Sequence, residues 1–416
     1  MILLLVVGGC KKPDMDNYLK ALETTESTEN TDGNSDADNS SDSTETDSTG
    51  EVATEDSAED TENNDPFGIS LLDGILPFLD YKEAESTSGD CYEYSMLTDD
   101  DRTVYDEILT VINNHEENVA IQTKSPEKLD DVFNRVMADH GEIFWVSGYS
   151  YTEYTVDNMV LGMLFTPVYT MSQAKRETIQ SQIDSAVEGY LAAIPADADD
   201  YTKIKIIYTL LASNVDYDIN SENNQTIESV FLNRSTVCQG FANALQYLAH
   251  KSGVQAIVVN GTGKSEKHAW NMVNIEGSFY HVDVTWANTT FSGDDGSGES
   301  SMINYSYLFM TDEDTAGKYT VESTFDIPPA NNTAYTYFIH ENKYFDSFDE
   351  TRLGEVISQA VNTGEESVSL KFASREIYDA AINYLLADFH IEDFCSGMTK
   401  AYYYEDTENL ILTIRL

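Results

Sequence analysis

Positive charge is scarce in this 416-residue chain, where 23 Lys and Arg stand against 74 Asp and Glu for a net charge of −51. A protein that grips phosphates needs clustered cations to displace counterions, so nucleic acid is not an expected partner. Cysteine is rarer still, with four residues, Cys10, Cys91, Cys238 and Cys395. Cys91 and Cys395 lie near the two ends of the region expected to fold and could staple it; the other reading is independent buried thiols. No closely spaced Cys or His pair, His-Glu-x-x-His helix or Gly-rich phosphate loop occurs, so neither a metal nor a cofactor is expected. No apolar run reaches the roughly 20 residues of a membrane-spanning helix.

What is present is enough for packed cores: 41% hydrophobic and 11% aromatic residues, over a length that suits two or three domains. The acid is unevenly placed. Between residues 23 and 65 there are 16 Asp and Glu and no Lys or Arg, interleaved with Ser, Thr and Asn, and no core can form from such a composition. The remainder still carries 58 acids against 23 bases, which serves solubility and favours neutral or basic partners. The opening run of Leu and Val ends in Gly8-Gly9-Cys10 and is followed by Lys11 and Lys12. It resembles the end of a bacterial lipoprotein signal. That implies a lipid on Cys10, membrane attachment outside the cytoplasm, and an anchor segment over 1–22 with a disordered acidic tether over 23–66.

Periodicity organises the rest. Thr98 precedes a helical stripe of Tyr105, Ile108, Leu109 and Ile112, and a second stripe (Ile179, Ile183, Val187, Tyr190, Leu191) stops before Pro195. Residues 143–146 and 159–165 read as strands, and 67–195 as a mainly helical region. Ile204, Ile207, Tyr208 and Leu211 make one face of a further helix. Thr236-Val-Cys-Gln239 has the form of a capping box that opens a helix ending near Gly253. Cys238 then sits in a first turn, where free N–H groups favour negative charge on its sulfur. Three strand-like runs follow, 254–260, 268–275 and 279–286. A tight turn at Glu276-Gly277 would pair Ile275 with Ser278, Trp270 with Asp283 and His268 with Thr285, making His268 and Asp283 diagonal neighbours on one face. His281 shares that face, while Val273, Ile275, Tyr280, Val282 and Val284 read as core. After Pro328-Pro329 a small α+β module over 331–416 is expected: a hairpin (335–339 with 343–348), a helix (353–361), a strand (368–372), a helix (376–386) and a final hairpin (401–404 with 410–414).

A cysteine at a helix start, a histidine on one strand and an aspartate on the next are the parts of a thiol triad. Their wording goes further. Val237-Cys-Gln-Gly-Phe-Ala242, His268-Ala-Trp-Asn271 and Tyr280-His-Val-Asp-Val-Thr-Trp286 resemble, in order, the three core blocks of the transglutaminase-like superfamily in its bacterial secreted branch. The resemblance implies an α+β papain-like domain over 196–330, a cysteine helix packed on an antiparallel sheet. It implies Cys238 as nucleophile, His268 as general base and acid, and Asp283 as the orienting carboxylate, and it favours His268 over His281. Trp270 and Trp286 are candidates to wall the acyl site. The Cys238 backbone N–H is the natural first oxyanion donor, with Tyr217, Gln225 or Trp270 as the second.

The expected activity is cleavage of an amide bond through a Cys238 thioester by an extracytoplasmic peptidase or amidase. Its substrate would be a protein or peptide, a cell-wall peptide among the candidates. The alternatives are cross-linking by a protein-glutamine gamma-glutamyltransferase and a non-catalytic adhesion or scaffold module.

Overall fold

The computed structural model describes residues 81–416 apart from 83, 88–90, 157–158, 292–299, 396–397 and 399–400. Cys10 and the acidic tract lie outside the described residues. The fold is α+β.

Helix α1 (Asp99–Asn113) starts where Thr98 accepts the Asp101 N–H, and it buries Val104, Tyr105, Ile108, Val111 and Ile112. Strand β1 (Val119–Ile121) leads to α2 (Pro126–Asp139), capped by Ser125 with Pro126 in its first turn. Strands β2 (Val146–Val156) and β3 (Met159–Tyr169) form a long antiparallel hairpin, and β1 pairs with the other edge of β3. Helix α3 (Gln173–Leu191) follows from a Ser172 cap. The segment before residue 195 thus holds a three-stranded sheet beside its helices; the expected strand 159–165 lies within β3, whereas of 143–146 only Val146 is in a strand.

Helix α4 (Asp200–Asn214) runs into β4 (Asp216–Tyr217), which pairs parallel with β5 (Ser235–Thr236) immediately ahead of α5 (Cys238–Lys251). Strands β6 (Ala256–Gly263), β7 (Glu266–Ile275) and β8 (Ser278–Val282) form an antiparallel meander. Strands β9 (Asn288–Phe291) and β10 (Ser300–Ile303) pair with each other, and β11 (Tyr319–Val321) returns to the free edge of β6. The sheet order is β11-β6-β7-β8. Glu276 and Gly277 both adopt positive φ, 51° and 83°, as a type I′ turn requires. Ile275 pairs with Ser278 as expected. Helix α5 lies on this sheet, with Asn271 Nδ2 donating to the Ala242 carbonyl at 2.9 Å and to that of Ile257 at 3.2 Å. Val273, Ile275, Tyr280, Val282 and Val284 are buried in the core shared with α1 to α5.

The last part of the chain departs from expectation at its start. Residues 335–348 do not form a hairpin. Tyr337–His340 is a helical turn, and β12 (Tyr344–Phe345) pairs parallel with β13 (Ser367–Phe372) across α6 (Glu350–Thr363). The aromatic residues read as strand alternation are recruited by the main core instead: Tyr337 stacks on Tyr305 at 4.4 Å. A parallel pair also needs a helical crossover rather than a tight turn. Helix α7 (Arg375–Ile382) and strands β14 (Tyr403–Asp406) and β15 (Ile411–Arg415) complete the sheet β12-β13-β15-β14. Its core, with Phe345, Leu353, Leu370, Tyr378 and Ile414, is separate from the first. Cys91 packs in the first core and Cys395 in the second, so no staple joins them and the reading of independent buried thiols holds; both are free and buried, as is Cys238. No helix among the described residues is long and apolar enough to cross a membrane.

Candidate active site

Cys238 is the first residue of α5, as expected, but the capping box is not there. The N-cap is Val237, which has no side chain to offer. Thr236 turns the other way: its Oγ1 donates to the Asn224 carbonyl at 2.7 Å and lies 2.7 Å from Ser229 Oγ. Gln239 Nε2 donates to Asn243 Oδ1 at 2.9 Å, and Asn243 Nδ2 to the Gln225 carbonyl at 3.1 Å. Through Asn243 the loop from 218 to 236 is tied to α5. Gly240 permits the close approach, because a Cβ there would lie 1.9 Å from Thr236 Oγ1. The helix start is left without a side-chain cap, so its N–H groups, that of Cys238 included, remain available to a ligand.

His268 and Asp283 meet by a route the strand register did not predict. The β7–β8 ladder ends at Asn271 and Val282. Trp270 and His268 have ladder partners on β6, Val259 and Gly261. Asp283 instead leaves the sheet and caps a short 3₁₀ turn, Val284–Trp286, with Oδ1 accepting the Thr285 N–H at 3.0 Å. Its other oxygen, Oδ2, is then 2.7 Å from His268 Nε2. The Cys238 thiol also acts on the imidazole and adds to the upward shift of its pKa. All three residues are buried, at 7% exposure for Cys238, 3% for His268 and 1% for Asp283. Burial disfavours a charged imidazole here, but the Asp283 carboxylate, with smaller help from Cys238, outweighs it and raises the His268 pKa to about 10.

The other candidates fall around this group. Trp270 stacks on His268 with ring centres 6.0 Å apart, and its indole N–H donates to His281 Nδ1 at 3.0 Å. It is a wall, with its donor already engaged. His281 holds Asp312 Oδ1 through Nε2 at 3.0 Å, and burial lowers its pKa. It therefore belongs to a different cluster from Asp283. Trp286 lies 5.7 Å from His268, has a buried indole N–H without a partner, and carries Lys264 Nζ 3.5 Å from its ring centre. Tyr217 pairs beside Thr236 with about half of its surface exposed (54%); partial desolvation raises its phenol pKa, and the Cys238 and Glu266 charges add to that. Gln225 contributes its backbone carbonyl to the α5 anchor and is half-buried.

One residue of the site was absent from every motif. The Tyr319 phenol donates to Asp283 Oδ2 at 2.7 Å. Among the described residues, no group of three or more His, Cys, Asp or Glu could hold a metal ion.

Comparison with known proteins matches residues 190–284 to the core model of the transglutaminase-like superfamily. Human kyphoscoliosis peptidase is 26% identical over 157 residues, which take in 34% of this chain and 22% of that protein. The chain thus spans about a fifth of that relative's length. Among solved structures, a crystal structure of a TGase aligns at 16% identity over 36% of this chain and 48% of its own, with a TM-score of 0.25. The periplasmic domain of TgpA from Pseudomonas aeruginosa aligns at 16% identity over 30% of this chain and 55% of its own, with a TM-score of 0.20. The segment that carries Cys238, His268 and Asp283 is the one that matches the core of the transglutaminase-like superfamily.

Proposed function

We propose that the chain is a cysteine enzyme that cleaves amide bonds, with Cys238, His268 and Asp283 as its triad. The observation that carries this reading is the buried pair in which Asp283 Oδ2 lies 2.7 Å from His268 Nε2, with the Cys238 thiol near enough to raise the imidazole pKa further. The thiol proton passes to His268, and Cys238 Sγ attacks the substrate carbonyl carbon. His268 gives that proton to the departing amine, leaving a thioester on Cys238. It then takes a proton from water, whose oxygen attacks the thioester and releases the acid. Asp283 keeps the imidazole oriented and balances its charge. The Cys238 backbone N–H and the Tyr217 phenol are the proposed oxyanion donors. Trp270 and Trp286 wall the acyl group. Water is preferred to an amine as the second nucleophile because nothing in the sequence marks an amine site.

The test uses the full chain with casein peptides, with and without a dansylated alkyl amine. Fragmentation that Cys238→Ala abolishes supports hydrolysis. Incorporation of the amine in place of fragmentation would move the assignment to cross-linking. No Cys238-dependent turnover, together with an iodoacetamide rate at Cys238 that His268→Ala leaves unchanged, would leave the scaffold reading. We further propose, from sequence alone, that Cys10 carries lipid and that 23–66 holds the enzyme away from the outer face of a bacterial membrane. Metabolic labelling with an alkyne fatty acid should mark the wild type and not Cys10→Ala; equal labelling of both would remove the anchor.

A further inference from the structure

Strand β11 reaches the sheet long after the motif-bearing segment has ended, and its pairing with β6 sets Tyr319 opposite Gly263. Gly263 has no side chain where one would strike the His268 ring, since a Cβ there would lie 2.9 Å from Cδ2. The phenol of Tyr319 reaches Asp283 beside it, and its O–H shares Oδ2 with His268 Nε2, each at 2.7 Å. Its ring is held 5.0 Å from Trp270 and 6.1 Å from His268. Burial, then the Asp283 charge, drives the phenol pKa far upward, so it stays a donor.

We propose that Tyr319 is a positioning residue that limits how tightly Asp283 holds the His268 proton. This rests on the reading of Cys238, His268 and Asp283 as a working triad. The positive hydrogen of the phenol cancels part of the negative potential that Oδ2 presents to the imidazole. Without it the carboxylate would stabilise the imidazolium further, and a proton held too firmly is not passed to a leaving amine. The other titratable groups facing the pair are Cys238 from α5, Tyr208 from α4, Lys264 from the β6–β7 turn and Tyr307 from the turn Tyr305–Tyr307. All of them are retained when Tyr319 alone is changed.

The experiment is an NMR titration of the His268 ring in the full chain carrying Cys238→Ala, which removes the contribution of the thiol and brings the midpoint down into an accessible range. Adding Tyr319→Phe should raise the midpoint by roughly one pH unit, the worth of a hydrogen bond to a charged group. Adding Asp283→Asn as well should abolish the difference, because Tyr319 acts through that carboxylate. Site-specific fluorotyrosine at 319, a stronger donor of the same shape, should move the midpoint down and keeps the test open if the phenylalanine variant folds poorly. A His268 midpoint near the ordinary histidine value before Tyr319 is touched would bring down the triad and this inference together. A raised midpoint that neither Tyr319 replacement moves, or that Tyr319→Phe lowers, would overturn the inference alone.

Discussion

His268 is the residue on which both the proposed chemistry and a measurable pH dependence turn. Its pKa rises to about 10 in the fold because Asp283 outweighs the cost of burial. The native state therefore binds this proton more tightly than the unfolded chain, whose histidine titrates near about 6.5. The resulting stabilisation is complete below about pH 6.5 and disappears as pH rises through about 10. The stability difference between wild type and His268→Ala should accordingly be largest near pH 6 and shrink towards pH 10, as read from urea midpoints at each pH. A difference that grows with pH would contradict the pairing. Cys238, His268 and Asp283 were legible in sequence because each stands in a short motif whose local structure is set within a few residues. Tyr319 was not. Its place depends on a strand that returns to a sheet edge after a long excursion, and nothing in the wording around it marks that return.

At the level of elements, the helix that presents Cys238 is positioned by its neighbours rather than by its own cap. Thr236 Oγ1 is buried between the Asn224 carbonyl and Ser229 Oγ. Thr236→Val removes that donor while keeping the shape, and should cost about 1–3 kcal/mol. Gly240→Ala should cost about 1–3 kcal/mol or more, since its Cβ would lie 1.9 Å from Thr236 Oγ1. Both are expected to lower chemical-denaturation midpoints and to slow Cys238 alkylation together, because the loop and the helix start move as one. Stability loss with no change in alkylation would separate the two. Sequence pattern placed Cys238 in the first turn of this helix, yet it misassigned the cap, since Thr236 bonds a loop whose path is a tertiary matter and Gln239 bonds Asn243 one turn on. The same limit applies to residues 335–348, where aromatic alternation looks the same whether the rings face a sheet or are drawn into another core.

The whole molecule is dominated by its charge, −51 over 416 residues. Mutual repulsion works against a compact state and is screened by salt over a Debye length of about 10 Å at 0.1 M. Raising NaCl from low millimolar to 0.5 M should therefore raise the thermal midpoint of the wild type, and a flat or falling midpoint in differential scanning fluorimetry would count against net repulsion. The two cores are joined across part of this field by short-range pairs, Lys371 with Asp314 at 2.8 Å and Lys318 with Asn409 at 2.6 Å. Sequence alone determined the acidic character, the α+β class, the helix whose first turn holds Cys238, the tight Glu276-Gly277 turn of the β7–β8 hairpin and the motifs around Cys238, His268 and Asp283. The acidic character, the helix and the turn follow from composition, hydrophobic period and contacts a few residues apart, while the class of the central domain and its three motif residues follow from the wording of the motifs and the family they resemble. Only the tertiary structure decided that Asp283 reaches His268 by leaving its strand, that His281 turns to Asp312, that Cys91 and Cys395 lie in separate cores, and that Tyr319 completes the carboxylate. Each of these joins groups distant in sequence, and such contacts are set by the packing of whole elements, which no local pattern encodes.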